Sequence, residues 1–156
     1  MKLKFHKFAD DAILPTRSHE DDAGLDMYAA EDKTVVQNDN VVRLGVGVDI
    51  PRGYVGLLLP RSSMNKKGIV TLLGVIDSGY TGEVKVAFAP RQNLAKFGDR
   101  DSNGLTSDEV HSSYIFVNKG DRVCQLVVVP IMCVDACWDT EKEEERGING
   151  FGSTGR

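Results

Sequence analysis

Short apolar runs alternate with turn residues along the whole of this chain, and no segment sustains the 3.6-residue apolar rhythm that a long helix needs to bury one face. The pattern reads as many short strands. Leu3, Phe5 and Phe8 mark an opening strand, and Val41 to Leu44 and Val46 to Ile50 are two more, parted by Gly45. Pro51-Arg52-Gly53 reads as a turn, and Tyr54 to Leu59 as a buried run ended by Pro60. Ile69 to Leu73, Val75-Ile76, Val84 to Ala89, Tyr114 to Val117 and Val123 to Ile131 complete the set. Strands this short and this close argue for an all-β barrel or sandwich of the jelly-roll kind. One short helix is predicted over Ser62 to Lys67, before Gly68 as its C-terminal stop.

With 156 residues the chain suggests one domain around one core. The net charge of −4 leaves no broad basic face, so a nucleic-acid polymer is not the expected partner. No run approaches the roughly 20 apolar residues that span a bilayer. The basic N-terminus, Met1-Lys-Leu-Lys-Phe-His-Lys7, lacks the apolar stretch of a signal peptide. Cys124, Cys133 and Cys137 cannot all pair within one chain, so reduced thiols are expected, with no ligand set for structural zinc. Together these predict a cytoplasmic protein, or a nuclear one in a eukaryotic cell.

Two segments break the strand rhythm. Arg91 to Ser113 is a long polar excursion. Its length and polarity leave two readings, an ordinary surface loop or a surface for a protein partner. The second segment begins at residue 139. There a core over 1–138 gives way to an acidic tether, Asp139 to Glu145, and a glycine-rich arm ending at Arg156.

Five clusters carry residues that strands do not need. The first, Ala23 to Ala29, sets Asp26 in an apolar run, either as a turn cap or as a functional acid. The second, Pro60 to Gly68, opens a short helix with Arg61, Ser62 and Ser63. Free first-turn N–H groups beside an arginine can bind an anion, and a capped helix with a surface arginine reads equally well. In the third, Gly74 to Glu83, Val75 and Ile76 deliver Asp77 to a strand end, and Gly79 and Gly82 bracket Tyr80 in what looks like a tight hairpin. A carboxylate so placed can activate a water, worth on the order of 10²–10⁴ in rate. An Asx-type turn explains Asp77 and the glycines but not Tyr80. The fourth, Lys119 to Leu126, places Gln125 inside a buried strand, where its amide must find partners. The fifth is the arm, Arg146-Gly-Ile-Asn-Gly-Phe-Gly-Ser-Thr-Gly-Arg156. Its glycines, its hydroxyls and Phe151 suit a lid over a base with phosphates, although glycine-rich ends are commonly idle. Walker-type and dinucleotide glycine loops are missing.

In order and spacing the five clusters resemble the motifs of the trimeric dUTPases, from about residue 3 to the end. Gly-Val-Ile-Asp-Ser-Gly-Tyr-Thr-Gly, Lys-Gly-Asp-Arg-Val-Cys-Gln-Leu and Arg-Gly-Ile-Asn-Gly-Phe-Gly-Ser-Thr-Gly carry most of the likeness. The resemblance implies a jelly-roll β-barrel assembled as a homotrimer, with active sites shared between subunits. It implies hydrolysis of dUTP to dUMP and pyrophosphate by attack of water on the α-phosphorus, which limits uracil in DNA and supplies dUMP for dTTP synthesis. Mg²⁺ is implied as cofactor, carried by the substrate phosphates. By the same resemblance, Asp77 holds the water and Tyr80 packs on the deoxyribose. The backbone from Gly74 through Ile76 to Thr81 reads uracil. Arg61, Ser62 and the neighbouring Ser63 meet phosphate, Gln125 meets the phosphate and water region, and Asp26 joins the water network around the metal. In the arm, Phe151 stacks on uracil beside Gly152, and Arg146, Ser153 and Thr154 meet the γ-phosphate.

Two departures stand out: Ser63 where the family usually has glycine, and Thr71-Leu72-Leu73 where it often has glycine or asparagine. Two other readings share the fold. A dCTP deaminase, alone or combined with dUTPase activity, needs a glutamate near the base, and Glu83 is the candidate. A non-catalytic regulatory trimer would be favoured by loss of Asp77, Tyr80 or the arm, and all are present.

Overall fold

The computed structural model describes residues 2–36, 39–66, 69–89 and 115–138. Ten strands and one helix occupy them. β1 (Lys4–Lys7) pairs with β5 (Val46–Asp49), β3 (Lys33–Val35) with β9 (Ile115–Val117), and β4 (Val41–Arg43) with β8 (Lys85–Ala87), all antiparallel. The remaining strands, β2 (Leu25–Tyr28), β10 (Arg122–Pro130), β6 (Tyr54–Leu59) and β7 (Gly74–Ile76), form a four-stranded antiparallel sheet in that order. Helix α1 covers Ser62–Lys66. This is the all-β, jelly-roll-like architecture expected. Among the described residues no helix is long and apolar enough to cross a membrane.

Alternation explains why these runs are strands. Val42 is buried between exposed Val41 and Arg43, and Ile115 and Val117 are buried on either side of outward-facing Phe116. One core collects these inward faces, with Phe88, Met27, Val42 and Val123 fully buried in it. Truncating such a side chain to alanine typically costs about 2–5 kcal/mol. Along β10 the alternation fails, because Val123 and Cys124 are both buried. A register shift against β2 between Arg122 and Cys124 accounts for it, since a β-bulge inserts one residue and re-aims its neighbours. Gly45, at the turn between β4 and β5, has φ 67, and a Cβ there would lie 2.8 Å from that of Ala30.

Two expectations are corrected. Ile69 to Leu73 is not a strand: Thr71 makes an isolated bridge to Phe88, while Leu72 and Leu73 are exposed. Over these residues the chain leaves the neighbourhood of β8 for β6, where Gly74 pairs with Leu58, so no continuous ladder can form. Nor is Gly74 to Glu83 a hairpin. β7 pairs with β6 and β8 with β4, so the turn between them joins two sheets. β2 and β3 escaped the strand reading because runs of only four and three residues, holding Asp26, Lys33 and Thr34, are too short to establish an apolar period.

Candidate active site

Three of the five clusters meet at one end of the large sheet. A cleft of about 280 Å³ is lined by Ser18, Asp22, Gly24, Asp26, Arg61, Ser62, Ser63 and Gln125, among others. The register builds it: Gln125 of β10 lies between Asp26 of β2 and Leu59 of β6, the last residue before Pro60 and α1. The Gln125 side-chain amide donates to the Pro60 carbonyl at 3.0 Å, which ties the start of α1 to the sheet and gives the half-buried amide a partner. A Cβ on Gly24 would come 2.8 Å from Gln125 Oε1, so a side chain there would displace the Gln125 amide.

Asp26 is the electrostatic centre of the cleft. Its Oδ1 accepts from Arg61 Nε at 2.7 Å and its Oδ2 from Arg122 Nη1 at 3.1 Å. Arg61 brings guanidinium N–H donors to a cleft wall that also carries Asp22, and such donors suit phosphate oxygens. Arg61 Nη1 also donates to Ser63 Oγ at 3.3 Å and to the Arg122 carbonyl at 3.1 Å. The first N–H groups of α1 carry no intrahelical acceptors, as at any helix start. Asp22 Oδ2 accepts the His19 N–H at 2.8 Å.

The third cluster lies elsewhere on the chain. Asp77 follows β7, is exposed, and among the described residues its carboxylate has no hydrogen-bond partner; its carbonyl accepts the Tyr80 N–H at 3.2 Å. Gly79 takes φ 94 in that turn. Tyr80 Oη donates to the Glu83 carbonyl at 3.0 Å and its ring lies over Gly82. Gly74 packs on Leu58, and Ile76 is buried in the core, paired with Gly56 of β6. β2 and β7 are the two edges of the sheet, three strand spacings apart, and Asp77 lies four residues along the strand direction from the row of Asp26. At about 4.8 Å per strand and about 3.3 Å per residue, Asp77 and Asp26 are on the order of 20 Å apart within one chain.

Glu83 is already committed. Its carboxylate accepts from Arg43 Nε at 2.9 and 3.1 Å and from the Gly45 N–H at 3.0 Å, with the side chain 11% exposed. The same contact raises the pKa of Arg43. Beneath the cleft, burial pushes the Cys124 thiol up to about 12. Arg146, Phe151, Gly152, Ser153 and Thr154 lie outside the described residues, as does the 91–113 excursion. Ser18, Asp22, Gly24 and Arg122 were not foreseen as site residues. Arg122 belongs to the fourth cluster, but only the register of β10 against β2 reveals its contact with Asp26.

Comparison with known proteins gives a consistent result. The family model described as dUTPase matches residues 10–97. The deoxyuridine 5'-triphosphate nucleotidohydrolase of Corynebacterium diphtheriae is 37% identical over 147 residues, covering 91% of this chain and 85% of that protein. That of Mycobacterium marinum is 37% identical over 152 residues, covering 91% and 87%. Among solved structures, the Staphylococcus bacteriophage 80alpha dUTPase with dUpNHpp superposes with a TM-score of 0.75 at 32% identity, covering 99% of both chains. The dUTPase from phage phi11 of S. aureus, in a form that reveals the coordination of a structural Mg(II) ion, gives 0.71 at 31% identity over 92% of this chain and 99% of that one.

Proposed function

The chain belongs to the dUTPase family, and on that premise we propose how its residues divide the work of dUTP hydrolysis. The protein is a dUTP diphosphatase, converting dUTP and water to dUMP and pyrophosphate. The observation that carries the assignment of roles is the cleft in which Asp26, Arg61, Ser62, Ser63 and Gln125 converge, with a guanidinium and two hydroxyls as donors. It receives the phosphates. Asp77, with its carboxylate uncommitted among the described residues, holds the attacking water toward the α-phosphorus. Tyr80, set by its hydrogen bond to the Glu83 carbonyl, packs against deoxyribose and leaves no room for a 2′-hydroxyl. The backbone from Gly74 through Ile76 to Thr81 reads uracil. Phe151 and Gly152 cover the base, and Arg146, Ser153 and Thr154 close on the γ-phosphate.

A water-activating base must come within about 3 Å of the proton it takes. A separation on the order of 20 Å within one chain therefore supports a site made between chains, with Asp77 and Tyr80 from one subunit and the phosphate cleft from its neighbour. We propose a homotrimer with three such interfacial sites. Displacement at phosphorus requires positioning and charge neutralisation more than covalent chemistry, which this division supplies.

Mg²⁺ fits the residues present. Among the described residues no cluster of three or more His, Cys, Asp or Glu could cage a metal, and both Asp26 oxygens already accept from arginines. A cation held by substrate phosphates and its own waters needs no cage. Asp22 and Asp26, on the cleft wall, would accept hydrogen bonds from such waters. When bound, Mg²⁺ would offset part of the triphosphate charge.

The deaminase reading is not favoured, because Glu83 is tied to Arg43 and the Gly45 N–H. The deciding assay compares pyrophosphate release from dUTP, dTTP, dCTP and UTP with Mg²⁺, alongside ammonia release from dCTP. Strong preference for dUTP and no ammonia are expected. Equal turnover of all four, or ammonia from dCTP, would overturn the assignment.

A further inference from the structure

We infer that Arg122 is a positioning residue for the phosphate-binding arginine, fixing Arg61 so that its Nη2 edge alone is presented to the ligand. The inference rests on the reading of the cleft as a phosphate site. A guanidinium has five N–H groups in a rigid plane. Three of those on Arg61 are committed: Nε to Asp26 Oδ1 at 2.7 Å, and Nη1 to the Arg122 carbonyl at 3.1 Å and Ser63 Oγ at 3.3 Å. Among the described residues nothing accepts from Nη2. A planar group held on its Nε and Nη1 edges can offer only its remaining edge to the cleft.

Arg122 acts on this arrangement twice. Its carbonyl holds Arg61 Nη1 directly. Its own Nη1 holds Asp26 Oδ2 at 3.1 Å, so the carboxylate that aligns Arg61 is gripped on both oxygens. Both contacts lie beside the β-bulge, where the register against β2 shifts between Arg122, paired with Tyr28, and Cys124, paired with Met27. Arg122 is not among the residues lining the cleft, and its side chain is 48% exposed, against 18% for Arg61 and 14% for Asp26. It stands behind the site. At that exposure its Coulomb attraction for a ligand is screened, and its effect is geometric.

The test is a double-mutant cycle on the full chain, reading the affinity for the non-hydrolysable analogue dUpNHpp. Arg122→Gln removes the side-chain grip on Asp26 and keeps the carbonyl, and is expected to weaken analogue binding about tenfold. Arg122→Lys, which keeps a cationic donor for Asp26, is expected to recover most of that loss. In an Arg61→Gln background the Arg122→Gln substitution is expected to change affinity by less than about twofold, because there is no guanidinium left to align. Wild-type affinity in Arg122→Gln would overturn the inference. So would the same tenfold loss with and without Arg61, which would mark Arg122 as an independent phosphate contact. Should Arg122→Gln fail to fold, Arg122→Lys against Arg122→Met decides the same question. A wild-type protein that does not bind the analogue at all would instead overturn the phosphate-site reading itself.

Discussion

Gly82 has no room for a side chain, because an added Cβ would lie 2.5 Å from Tyr80 Oη and 2.7 Å from its Cζ. The glycine therefore leaves the space in which the tyrosine ring rests, and in the proposed site that ring would set the width of the sugar pocket. Gly82→Ala is expected to displace the ring and lower the ratio of kcat/KM for dUTP over UTP by about tenfold or more, measured in parallel assays. An unchanged ratio would remove Tyr80 from sugar selection. Cys124 gives a second prediction at this scale. Burial pushes its thiol from an ordinary pKa of 9.0 up to about 12. Between those values the unfolded chain has lost a proton that the folded chain keeps. Stability from this group is thus complete below about pH 9 and falls as pH rises toward 12. Denaturant titrations across that window should show a shallower slope for Cys124→Ala than for wild type.

At the scale of elements, most strands were legible because they alternate or run apolar between glycines and prolines. Tyr54–Leu59 was read to the residue, and α1 nearly so. β2 was not legible as a strand, because its Asp26 is placed by an ion pair with residues 35 and 96 positions away. The supposed hairpin after β7 was misread for a related reason: local turn chemistry is the same whether the flanking strands pair or part to different sheets. The site divides in the same way. Residue types and spacing mark Asp77, Tyr80, Arg61 and Gln125 as special, yet only register shows that Gln125 anchors Pro60 and that Arg122 grips Asp26. The arm is an element known here from sequence alone. Removing Gly147 to Arg156 is expected to leave a folded assembly, by circular dichroism and size, that has lost most of its turnover. Full activity in that truncation would make the arm an idle end.

Over the whole molecule, two surfaces of the isolated chain are left incomplete. Beyond β10, Ile131, Met132, Val134 and Trp138 are exposed, Trp138 to 95%. On the edge strand β7, Val75 is 61% exposed. Large apolar side chains left in water along a sheet edge and the segment after β10 suit burial in an assembly. The same isolated chain holds its phosphate cleft and its Asp77 at opposite edges of one sheet. The proposed trimer would answer both needs, covering apolar surface and bringing the Asp77 edge of one subunit to the cleft of the next.

Subunit complementation tests this most directly. Arg61→Gln and Asp77→Asn chains are each expected to form assemblies with little turnover, because every site lacks one half. Unfolded together and refolded as a one-to-one mixture, they should regain about a quarter of wild-type activity, the share of interfaces where an intact Asp77 meets an intact Arg61. Activity that stays at the level of the two parents would mean that each chain supplies both halves of its own site, and would contradict the account.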